Sequence, residues 1–227
     1  MNRFHWYQIP VLNPDRIKTL GEFLLKHPFG LKNRTGFKIE EIRTSHIVGQ
    51  FVERNEFTQT VEDPLGNKFD LKQIRFETVD FTIADDVPQL ECRNAGRNIR
   101  DFRNEIAKAL NYEIAITRIT FDVAAFIKSL SKFASRVTLV KAVANDIRLA
   151  DDITAQIHVT GDSDVRSSLK KFLKGTSHSL TRARIEAAFD NEEIALEVAS
   201  TGLISFDASP SPKIVSLIRG TVRQCGK

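Results

Sequence analysis

The chain is poor in the residues from which compact active sites are built. Its 227 residues include two cysteines, five histidines, one tryptophan and two tyrosines. Cys92 and Cys225 lie far apart and outside any Cys-x-x-Cys spacing, which excludes a disulfide scaffold, and no histidine flanks either as the partner of an activated thiolate. Both are expected to be unbonded and dispensable. His5, His27, His46, His158 and His178 contain no i, i+4 or short-loop pair, so no structural zinc is expected. No apolar run approaches the roughly 20 residues of a membrane span. The opening "MNRFHWYQIPVLNP" has no signal-peptide apolar region, so the expected protein is cytoplasmic and not membrane-bound. Serine-hydrolase elbows, kinase loops, zincin motifs, Walker motifs and dinucleotide fingerprints are missing too. The expectation is therefore a non-enzyme without a cofactor.

What is present is a globular composition, 41% apolar and 27% charged, with sixteen phenylalanines whose rings carry no polar handle and belong mostly in a core. Charge is distributed unevenly. The net +4 resolves into −1 over residues 1–90, +2 over 91–110, zero over 111–162, +5 over 163–184 and −2 over 185–227. Positive charge clustered in two short segments is the footprint of an anionic partner.

The patterning predicts an α+β fold. "RFHWYQIPVL" reads as a strand. "NPDRIKTLGEFLLKHP" reads as a helix capped by Asn13, with Pro14 at its first position and Ile17, Leu20, Leu24 and Leu25 on one face. From Phe37 to about Leu90 the apolar period shortens to that of strands, and the turn "DPLGNK" predicts an antiparallel meander. A helix opening at Asn98, or one turn earlier at Asn94, gathers Ile99, Phe102, Ile106 and Leu110 on one side and Arg97, Arg100, Asn104 and Lys108 on the other.

Beyond residue 110, "ITRITFDVAAFIKSLSKF" and "IHVTGDSDVRSSLKKFL" each run from strand to helix, with Asp122 and Asp164 near the helix starts. Strands follow each helix, which predicts a ferredoxin-like double βαβ arrangement. "EEIALEVASTGLISF" is expected as one added strand, hairpinned through Asp190-Asn191, and "SPSPKIVSLIRGTVR" as a closing helix. The predicted regions are 1–110, ending in the basic helix, and 111–227.

Two basic strips are the candidate sites. Arg166, Lys170 and Lys174 are spaced by four and share a helix face, while Val165, Leu169, Phe172 and Leu173 are expected on the buried side. Arg182 and Arg184 then share one side of a strand. With Arg97 and Arg100 of the earlier helix they make seven candidate phosphate contacts, independent of base sequence. Enough of them are free, on this reading, to give a log–log salt slope of about −3 to −6 in nucleic-acid binding. A plainer account has these groups complementing helix ends or pairing with nearby acids. Asp151, Asp152, Asp162 and Asp164 around His158 are the carboxylates that a metal-dependent nuclease would need, though a helix cap and a turn also explain them. RNA-recognition signatures are missing: "ITAQIHVT" has no aromatics for stacking.

The expected function is thus non-catalytic binding of DNA or RNA through its backbone. The alternative is an interaction or scaffold subunit of a larger protein assembly, marked by an exposed apolar patch and internally paired cations.

Overall fold

Apolar residues that recur at the period of strands on either side of the 63–67 turn favour burying residues 35–84 as strands of a sheet with one face covered. In the computed structural model, which describes every residue except Met1, Val11, Leu31, Arg97, Asn191 and Lys227 and gives no side-chain placement for Leu149, this segment is the centre of one of two units. The first unit spans residues 9–116. The second joins residues 1–8 to residues 117–227.

In the first unit, β2 (Thr35–Ile42), β3 (His46–Glu62), β4 (Lys68–Ala84) and β5 (Leu90–Arg93) form an antiparallel meander in chain order. Two helices cover its apolar face. In α1 (Pro14–Lys26), the Asn13 side chain accepts from the Arg16 N–H at 2.9 Å and Pro14 stands at the first position. Ile17, Leu20 and Leu24 are buried, whereas Leu25 is exposed. The predicted stripe was therefore one residue too wide, because Gly21 rather than Leu25 completes the contact face. In α2 (Ile99–Ala109), Phe102 meets Phe81 and Phe51 of the sheet at ring-centroid distances of 5.0 and 5.6 Å. Burying one such ring stabilises a fold by roughly 1.5–3 kcal/mol. This aromatic cluster is therefore the chief anchor of α2.

The second unit contains β1 (Asn2–Gln8), β6 (Thr117–Arg118), α3 (Val123–Leu130), β7 (Arg136–Ala150), β8 (Ile153–Thr160), α4 (Arg166–Phe172), β9 (Ser179–Phe189), β10 (Glu192–Ala199), β11 (Leu203–Phe206) and α5 (Pro212–Cys225). Strand order is β1-β11-β10-β9-β7-β8, with β6 on the Tyr7–Gln8 end of β1, and every ladder between these strands is antiparallel. One face carries Trp6, Phe206, Leu196 and Ile185 and is buried. Asp122 caps α3 by accepting from the Ala124 and Ala125 N–H groups, and Ser211 caps α5 ahead of Pro212.

The chain order of elements matches the expected β-α-β-β-α-β, but the pairing departs from a ferredoxin-like arrangement. β8 and β9 both flank β7, antiparallel to it and so parallel to each other, which makes β8-α4-β9 a split βαβ unit. The first half forms no such unit. β6 is two residues long and pairs with β1, a strand that the sequence order placed in the other region. The expected single strand over 192–206 is two strands, β10 and β11. Gly202 turns the chain at φ +83°, and a Cβ there would lie 1.8 Å from the Ile119 carbonyl oxygen, so no other residue fits. The β9–β10 hairpin pairs Phe189 with Glu192 around Asp190, which has φ 40°. Asn191, its expected second turn residue, lies outside the described residues.

Candidate functional site

The seven candidate cations are placed in three ways. Arg97 lies outside the described residues, and Arg100 is exposed on α2 of the first unit. The other five belong to the second unit, where sheet geometry separates them. Arg182 and Arg184 alternate with Ala183, Ile185 and Ala187, which are buried on the helix-covered face, so both arginines stand on the opposite face. Each has an acid beside it. Arg182 lies 3.4 Å from Glu197, one strand over, and Arg184 pairs with Asp207. These are pairs of largely solvated groups, each contributing about 0–1 kcal/mol.

Arg166, Lys170 and Lys174 are exposed on the helix-covered side, along α4 and just past its end. Arg166 is held by Asp164, whose Oδ2 accepts from Nε at 2.8 Å, and its Nη2 donates to the Val137 carbonyl at 2.7 Å. The Arg166 guanidinium holds the Asp164 carboxyl below the usual carboxylate range. Lys170 and Lys174 form no ion pair among the described residues. The two predicted strips of residues 166–184 therefore do not form one surface. A strand that follows a helix places its outward residues on the side of the sheet away from that helix, which residue spacing alone does not reveal.

The expected buried stripe of α4 is right for Val165, Leu169 and Leu173 and wrong for Phe172, which is 74% exposed. A helix of seven residues touches its sheet along a narrow line, and the i, i+4, i+8 series 165, 169, 173 occupies it.

Between α3 and α4 lies a concavity of about 650 Å³. Leu139, Leu169, Leu173 and Ile127 are its apolar floor, and Lys128, Arg166, Lys170 and Lys174 its rim.

The carboxylates expected around His158 give no metal centre. Asp164 is engaged by Arg166, and among the described residues no three of His, Cys, Asp and Glu converge as ligands. Cys92 and Cys225 are both free thiols, and burial raises the pKa of each, that of Cys92 far above its ordinary value. Among the described residues, no helix is long and apolar enough to cross a membrane.

A second surface was missed from the sequence. β3 and β4 are 17 residues each, and their ladder continues for nine pairs, Arg54–Phe76 to Glu62–Lys68, past the Thr35–Glu53 pair with β2 and the Asp80–Arg93 pair with β5. At about 3.3 Å per residue this two-stranded ribbon is some 30 Å long. No register shift interrupts it, so the face that buries Phe51, Val79 and Ile47 within the unit continues outward as Phe57, Val61, Phe69 and Leu71. Phe57, Phe69 and Leu71 are 43–47% exposed. The same face carries Gln59 and Gln73, joined at 2.8 Å, and a single charge, Arg75. The other face holds the charges in mixed sign, with Phe76 resting edge-on against Phe29 at 6.0 Å. The signal in the sequence was a meander strand far longer than the usual 5–6 residues.

No family model matches the chain, and no curated protein matches it either.

Proposed function

We propose that the chain is a non-catalytic interaction subunit, and that the β3–β4 ribbon seats a protein partner through a largely apolar face on which Arg75 is the single charge. The observation that carries this reading is the row Phe57, Phe69 and Leu71, exposed on one face of an isolated strand pair with the half-buried Val61 among them. Two strands alone bury too little to stabilise such a face, so exposed aromatic residues along it mark a surface completed by another molecule. Residues 54–76 contain four basic and four acidic side chains, a net charge of zero, which suits a protein surface better than a phosphate backbone. The engagement of Arg166, Arg182 and Arg184 by Asp164, Glu197 and Asp207 supports the same reading.

A photo-crosslinking residue at Leu71, compared with one at the exposed Ser177, tests the proposal in cells producing the protein. The expected result is a discrete protein adduct from position 71 alone, lost when Phe57 and Phe69 are changed to Ser. Equal labelling from both positions, or none from position 71, removes the ribbon as the seat.

The second reading is sequence-independent binding of a DNA or RNA backbone. It is favoured by Lys170 and Lys174, which form no ion pair among the described residues, with Arg100 as a further exposed cation.

A further inference from the structure

The ribbon leaves unexplained the concavity between α3 and α4, which lies in the other unit. Its volume, about 650 Å³, is that of a site for one small molecule. Ile127 of α3, Leu139 of β7, and Leu169 and Leu173 of α4 and its C-cap face it with aliphatic side chains. Lys128 stands on the α3 side, and Arg166, Lys170 and Lys174 on the α4 side. Among the described residues, no acidic side chain lines the cavity. Arg166 is already neutralised by Asp164, but Lys128, Lys170 and Lys174 are exposed and make no ion pair among the described residues.

Compensation of helix ends explains part of this charge, since Lys128 and Lys170 lie in last turns. It does not explain why cations from two different helices face one aliphatic floor. A phosphodiester backbone would use the lysines and leave the floor bare. An amphipathic peptide helix needs several turns of groove to seat successive anchors, whereas α4, at seven residues, is about 10 Å long.

We propose that this concavity binds a small amphipathic anion, an aliphatic or aromatic body on the leucine floor with a single carboxylate or comparable anionic group held by Lys170 and Lys174, and with Lys128 on the opposite wall. The aliphatic body supplies affinity by taking from water its own apolar surface and that of Ala124, Leu180 and the lysine stems above the buried leucine floor, and the lysines select the sign of the head group.

The test is calorimetric titration of the full chain with decanoate, with decyltrimethylammonium (the same tail, opposite charge) and with acetate (the head alone). Decanoate should bind saturably at one per chain, and the other two at least about ten-fold more weakly, the equivalent of one charge-assisted contact or more. Changing Lys170 and Lys174 together to Gln should weaken decanoate several-fold. Ala124 is an exposed residue lining the same cavity, so Ala124→Trp fills it without disturbing the core and should abolish binding. The Phe57→Ser, Phe69→Ser variant should bind decanoate normally, which separates this site from the ribbon. Equal affinity for the two long-chain ligands, undiminished binding in Ala124→Trp, or no saturable binding of decanoate would each overturn the proposal.

Discussion

His5 shows how far one side chain's chemistry depends on its surroundings. On β1 its Nδ1 accepts from Arg118 Nη2 at 2.6 Å, and burial, with Arg118 and Arg3 nearby, lowers its pKa from 6.5 to about 4. The unfolded chain takes up a proton near pH 6.5 and the folded protein only near 4. Between those values the unfolded state binds more protons, so His5's contribution to stability is complete above 6.5 and is lost as the pH falls toward 4. Urea midpoints at pH 7.5 and 4.5 should therefore differ more in the native protein than in His5→Gln. Equal differences would mean that His5 is not responsible. At the same scale, Leu169→Ala should cost about 2–5 kcal/mol, as cavity-forming changes do. Phe172→Ala should stay within about 0.5 kcal/mol, as exposed changes do. Guanidinium unfolding of the two variants measures this directly. Periodicity assigned both residues to the buried stripe. It separates them correctly only once the length and seat of α4 are known.

At the scale of elements, helices and their caps were the most legible part. Asn13, Pro14, Asp122 and Pro212 mark helix starts by local chemistry, and each is found in that role. Strand partners were less legible, because alternation states which residues share a face and not which strand lies alongside. That is why 192–206 read as one strand although Gly202 breaks it, and why β8-α4-β9 closes around β7. The ribbon poses the same problem in reverse. Its apolar alternation is that of a buried strand, yet Phe57, Phe69 and Leu71 remain 43–47% exposed on its outer pairs. Replacing Phe57, Phe69 and Leu71 by Ser should change stability by no more than about 0.5 kcal/mol each. A thermal melt with a transition close to that of the native protein is the expected result. A large drop would show that the face is part of a core.

At the scale of the whole molecule, net charge is a poor guide to binding. The +5 of residues 163–184 divides between opposite faces of one sheet, and three of its arginines have acids beside them. If the chain binds duplex nucleic acid through Lys170 and Lys174 alone, the log–log salt slope should be about −2, one unit for each of those two lysines, rather than the −3 to −6 expected from the sequence. Changing Lys170 and Lys174 to Gln should then reduce binding to background. Mobility shifts at two salt concentrations decide it, and a slope near −5 would require phosphate contacts beyond that single face.

The sequence by itself determined the mixed α+β class, the starts of the helices, the exposure of Arg166, Lys170 and Lys174 along α4 and the solvated side of β9, because each follows from neighbours within a few residues and from fixed backbone periods. Only the tertiary structure decided that β1 pairs within the C-terminal unit, that the arginines of β9 stand across the sheet from the lysines of α4, and that the β3–β4 ladder runs out beyond its neighbours. Those outcomes depend on which strands hydrogen-bond across long stretches of chain, and side-chain alternation is the same whichever partner lies alongside.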